Sequence, residues 1–196
     1  MEFTKTSNTF YLNKSTYINL RWIAIIGQLF AIIIVQFLLN YKFNYLICIS
    51  IIFLSILSNL YLQFKVKNNQ LNNSLSTIYL SFDIMQLGIL FFLTGGITNP
   101  FIFLIIVPAV FSSQYLNISS SIVLVSLIIL ILIILTFYYI ELPHPGELHF
   151  HAPDYYLFAI PVSIIIGLLF LVYFGVKFGE EGRIRQTAYD KLQELG

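Results

Sequence analysis

The chain has 196 residues, of which 58% are hydrophobic, 17% aromatic and only 10% charged, with a net charge of +1. A water-soluble domain carries about 25% charged residues, so this composition excludes an ordinary soluble enzyme and points to a chain solvated by lipid. The near-zero net charge gives no basis for a nucleic-acid partner, and the lone cysteine, Cys48, excludes an internal disulfide or a cysteine-based metal cluster.

A membrane-crossing helix needs about 20 mainly apolar residues, and only helices of this kind satisfy their own backbone in lipid. Six such runs follow in chain order: Leu20–Leu39, Phe43–Phe64, Leu75–Thr94, Pro100–Leu116, Ile118–Ile140 and Leu157–Phe178. The predicted fold is an all-α bundle of six spans. The fourth run is the shortest, and its join to the fifth, through Ser112, Ser113, Gln114, Asn117 and Ser119–Ser121, is the least sharp boundary. The first run follows a polar lead and no small-residue cleavage site, which argues against a secretory signal.

Every lysine and arginine except Lys42 falls on one side if the N terminus is cytoplasmic: Lys5, Lys14, Arg21, Lys65, Lys67, Lys177, Arg183, Arg185 and Lys191. The positive-inside rule then places both termini in the cytoplasm. The expected organisation is a cytoplasmic segment 1–19, a membrane region 20–178, and a cytoplasmic helix starting over 179–196. In that last stretch Glu180, Glu181, Arg183, Arg185, Asp190, Lys191 and Glu194 interleave with Ile184, Ala188, Leu192 and Leu195. The pattern reads as an amphipathic helix leaving the membrane, and the chain is expected to be part of something longer.

Within the third span Ser76, Tyr79, Asp83 and Gln86 recur at helical spacing and share one face. An acid at mid-bilayer costs about 2.5–3.5 kcal/mol, so Asp83 should face the bundle interior, pair, or be protonated. Gln28 of the first span lies at a similar depth, roughly 12 Å from the inner end at 1.5 Å per residue. A buried network of Gln28, Asn59, Asp83 and Gln86 is the expectation; it serves either as glue between helices or as a ligand or proton site. The three histidines, His144, His149 and His151, all fall in the loop Glu141–Tyr156. No span therefore offers haem ligands, a second aspartate for proteolysis, or a serine–histidine pair, and neither haem nor a bound metal is expected.

The run Gly95-Gly96-Ile97-Thr98-Asn99-Pro100-Phe101 joins the third and fourth spans. Glycine ends helices in the left-handed conformation, asparagine caps them, and proline suits the first helical position, so the run works as a stop, a turn and a restart. The same atoms offer a second use. Unpaired N–H groups of a helix start, with the Asn99 amide, can donate to a quinone carbonyl while Phe91, Phe92 and Phe101 supply ring surface.

Three stretches taken together are distinctive: Leu20-Arg21-Trp22 with Ala24, Gly27 and Gln28; Phe82-Asp83 with Gln86-Leu87 and Leu93-Thr94-Gly95-Gly96; and Asn99-Pro100-Phe101, with Pro108 following. They resemble the membrane region of the RegB/PrrB family of bacterial redox-sensing histidine kinases, whose pattern includes a GGxxNPF heptapeptide. The resemblance implies ubiquinone sensing through Gly95, Gly96, Asn99, Pro100 and Phe101. It also implies a bacterial inner-membrane homodimer that autophosphorylates and passes phosphate to a response regulator. The chain lacks the family's phospho-acceptor histidine, ATP-binding domain and cytoplasmic redox cysteine, so it is an input module at most. The alternatives are a stand-alone six-span transporter or channel, or a structural subunit of a membrane complex.

Overall fold

The structure, a computed structural model, describes residues 12–38, 43–141 and 153–194. The three histidines and Lys42 lie outside the described residues. Among the described residues six α-helices form a bundle: α1 (Lys14–Ile33, extended by a π-helical turn to Leu38), α2 (Tyr45–Lys65), α3 (Asn73–Leu93), α4 (Val107–Tyr115), α5 (Ile118–Phe137) and α6 (Asp154–Glu194). Asparagines start four of them. Asn13, Asn44, Asn72 and Asn117 each accept a backbone N–H of the following turn, which answers donors left open at a helix start.

The Asn13 cap moves the first helix. The sequence reading began that span at Leu20, where apolar residues begin. The helix instead starts in the polar lead at Lys14, so Arg21 sits two turns inside it. A two-residue antiparallel pair, β1 (Leu12–Asn13) with β2 (Gln70–Leu71), clasps this end, and Leu12 and Leu71 are buried opposite each other. Lys14 Nζ donates to Val66 O at 2.6 Å and Gln63 O at 3.2 Å, closing carbonyls at the end of α2.

Among the described residues five helices are long and apolar enough to cross a membrane; the fourth predicted span is not. It is a 3₁₀ stretch, Ile102–Ile106, running straight into α4, and the apolar helix it makes covers only Ile102–Tyr115. Pro108 gives the physical reason. It has no N–H to bond Leu104 O, so that carbonyl takes Val107 N instead and the turn tightens. At 2.0 Å per 3₁₀ residue and 1.5 Å per α residue the segment is about 24 Å long, short of a roughly 30 Å hydrocarbon core.

The segment still carries the chain from one end of α3 to the other. At the far end Gly95 N donates to Ile140 O (3.1 Å) and Ile140 N to Phe92 O (2.8 Å). At the near end, beside Lys14, Asn117 N donates to Asn73 Oδ1 (3.4 Å) and Thr77 Oγ1 to Ser120 Oγ (2.8 Å). The helices α3 and α5 are thus parallel and level, with the 3₁₀–α4 segment returning between them.

Two apolar cores hold the bundle. One gathers Leu80, Ile84, Leu124, Ile128 and Leu132 with Leu168 of α6; the other joins α1 and α2 through Ile25, Cys48 and Ile52, with Leu90. Large apolar residues also face outward all around, among them Ile26, Phe30, Phe53, Phe64, Ile122 and Phe170. Outward exposure on this scale suits lipid and marks a membrane protein. The last helix is the longest at 41 residues, so the predicted sixth span and the predicted charged helix are one continuous element.

Candidate functional site

Tyr17 and Arg21 are four residues apart and project from one face of α1 toward Asp83 of α3. Arg21 holds Asp83 Oδ1 through Nη2 at 2.8 Å and Nε at 3.0 Å, while the Tyr17 hydroxyl donates to Asp83 Oδ2 at 2.5 Å. Nη2 also reaches Ser58 Oγ of α2 at 3.2 Å. The rings of Tyr17 and Tyr79 flank the guanidinium, each centroid 5.6 Å away. Three helices are joined here by a charge pair whose side chains are 5% and 16% exposed.

The expected four-residue network therefore divides. Asn59 donates to Ile18 O at 3.3 Å and does not bond Asp83. Gln86 Nε2 donates to Gln28 Oε1 at 2.8 Å, one turn along from the charge pair. The division follows from electrostatics: a carboxylate in a poorly solvated bundle is met best by a cation, and Arg21 is within reach.

The turn beyond α3 is closed on itself. Gly95 has φ 102° and Gly96 φ 57°, both left-handed, and a Cβ on Gly96 would run into the Tyr139 ring. Asn99 Nδ2 donates to Thr94 O and Thr94 Oγ1, both at 2.9 Å, and Asn99 Oδ1 accepts Phe101 N at 2.9 Å. The Thr98 hydroxyl donates to Gly95 O at 2.7 Å. An amide NH2 has two hydrogens, and Thr94 takes both.

A groove of about 1320 Å³ connects these features. Tyr17, Arg21, Ser55 and Asp83 form its polar end. Gln28 and Gln86 lie part-way along; Thr98, Asn99, Pro100 and Phe101 close the other end, facing Tyr156, Leu157 and Ile160 of α6. Thr94, Tyr139 and Glu141 also line that second end; between the two ends the walls are mainly apolar, as a site for a hydrophobic ligand with a few polar atoms requires.

Neither a protein-family profile nor a solved structure matches the chain. A curated relative does: the sensor histidine kinase RegB of Cereibacter sphaeroides, 30% identical over 188 residues, covering 92% of this chain and 41% of that protein. The chain belongs to the RegB/PrrB family. It corresponds to the N-terminal part of such a protein and spans about two fifths of the relative's length.

In this RegB/PrrB-family chain the five residues singled out in the sequence occupy distinct places. Pro100 and Phe101 wall the groove, and Phe101 is 43% exposed. Gly95 and Gly96 shape the turn. Asn99 reaches the groove but spends its polar atoms inside the turn, where the sequence reading left its amide free to donate. Tyr17 was missed, and Arg21 was counted among the cytoplasmic charges. The Tyr17–Arg21 spacing of four, counted from an Asn13 cap, was the signal available.

Proposed function

We propose that this chain is the membrane input region of a redox-responsive sensor histidine kinase, and that its groove takes ubiquinone. The groove carries the reading: it is mainly apolar, has a buried polar cluster at the Arg21 end, and lies between helices whose outer faces suit lipid. In the proposed arrangement the 3₁₀–α4 segment is a sixth crossing, thinned by tight packing, and both termini are cytoplasmic in a bacterial inner membrane. The full protein would be a homodimer that autophosphorylates and passes phosphate to a response regulator.

The route from ligand to output is short. One wall of the groove is α3 with the GGxxNPF turn, and another is the start of α6. A quinone between them sets how α6 lies against the rest. It shifts that balance only by binding one arrangement better than the other. A transport path through Asp83 is disfavoured, because Arg21 and Tyr17 already occupy its carboxylate.

Decylubiquinone titrated into the chain in lipid nanodiscs tests this. Saturable binding is expected, and Phe101→Ala, which strips ring surface from the wall, should weaken it about tenfold, or 1.4 kcal/mol. An absence of saturable binding would sink the proposal.

A further inference from the structure

The polar end of the groove holds buried atoms with nothing to bond. Arg21 is 4% exposed, and its Nε and Nη2 are committed to Asp83 and Ser58, yet Nη1 meets no acceptor. Ser55, 2% exposed, lines the groove beside it with an unpaired hydroxyl. Asn59 Oδ1, on the next turn of the same α2 face, is also unpaired. The faces adjoin, since Asn59 bonds Ile18 O and Arg21 bonds Ser58 Oγ. Buried polar atoms are nearly always paired, so the two orphan donors that line the groove, Arg21 Nη1 and the Ser55 hydroxyl, mark a place for another oxygen; Asn59 Oδ1 is an acceptor and lies outside the lining.

The chemistry of that oxygen is constrained. Asp83 already balances the Arg21 charge, so an anion gains little here, and a neutral carbonyl or hydroxyl is the better match. Arg21 and Ser55 both supply hydrogens. At the opposite end, beside Pro100 and Phe101, Thr94 takes both hydrogens of the Asn99 amide and Gly95 O takes that of the Thr98 hydroxyl, while Glu141 brings carboxyl oxygens that suit a carbonyl less well than donors do.

We infer that the quinone headgroup lies at the Arg21–Ser55 end, one carbonyl oxygen accepting from Arg21 Nη1 and the Ser55 hydroxyl, with the tail running toward Pro100 and Phe101. This deepens the quinone reading above and rests on it. Asp83 and Thr94 mark the ends of the groove along α3, about 16 Å apart at 1.5 Å per residue, which accommodates a ring and the first part of an isoprenoid chain.

The test is infrared difference spectroscopy of decylubiquinone bound to the 196-residue chain in nanodiscs, alongside its affinity. Wild type should show one carbonyl stretch moved to lower frequency. Ser55→Ala removes an unpaired atom and so spares the fold; it should weaken binding about five- to tenfold at an unchanged melting temperature. The paired change Arg21→Gln with Asp83→Asn, which keeps neutral hydrogen-bonding groups in place, should abolish the shifted band, and Asn99→Ala should leave it where it is. Wild-type affinity in Ser55→Ala, or a wild-type band already at the frequency of free quinone with only water at Arg21, overturns the inference while the quinone reading stands. No binding to wild type removes both.

Discussion

Removing one half of the Arg21–Asp83 pair leaves the other charge buried without its counterion, which makes either residue costly to replace alone. Arg21→Ala should destabilise the bundle by about 3–5 kcal/mol, while the neutral double replacement Arg21→Gln with Asp83→Asn should cost clearly less. Thermal unfolding of the three variants in detergent checks this through a double-mutant cycle, and additive losses would show that the pair is not coupled. At Gly96, φ 57° and the Tyr139 ring both oppose a side chain. Gly96→Ala is expected to lower stability by about 1–3 kcal/mol in the same assay. The turn glycines were legible in the sequence, because few residues other than glycine take that backbone. The commitment of Asn99 to Thr94 was not, because an amide that caps and an amide that binds a ligand look alike in one dimension. Arg21 was misread for a related reason: charge near the end of an apolar run signals a surface only if the helix starts where the apolar residues do.

At the scale of elements, the contact between α4 and α6 depends on absent side chains. A Cβ on Gly175 would strike the Ser113 hydroxyl, and one on Gly179 would strike the backbone of Gln114. Backbone cannot move aside as a side-chain end can, so Gly179→Val should push α6 off α4. Gly182 has open space around it, so Gly182→Ala should be neutral or stabilising by up to about 1 kcal/mol from helix propensity. Melting temperatures should separate the two, and a Gly179→Val protein as stable as wild type would remove this role for the close approach. The long apolar runs made five of the six helices legible. The 3₁₀ winding of Ile102–Ile106 was not: the sequence shows Pro108 at a place where a helix start would tolerate it, and only the completed turn shows which carbonyl it leaves to Val107.

For the whole molecule, the returning 3₁₀–α4 segment decides which residues share a side of the membrane. Asn69 and Gln114 belong to one end of the bundle, Thr98 and Glu141 to the other, and all four are exposed. With cysteine placed singly at these positions, a membrane-impermeant maleimide added outside intact cells should label Thr98→Cys and Glu141→Cys only. Labelling of Gln114→Cys from outside would remove the fourth crossing. Native Cys48 is buried and should stay silent. Composition and the spacing of charges were enough to expect a polytopic bundle, since they depend on lipid as the solvent. The order in which helices touch was beyond them, because lipid-facing and helix-facing positions use the same apolar residues here.

The continuity of α6 has a geometric consequence. A helix turns by 100° per residue, so the side chains near Glu194 hold a fixed angular phase relative to those that meet Ser113 and Gln114. Any segment that prolongs this helix inherits that phase. One residue inserted after Thr187 would rotate everything downstream by about 100°, whereas seven would come within roughly 20° of restoring it.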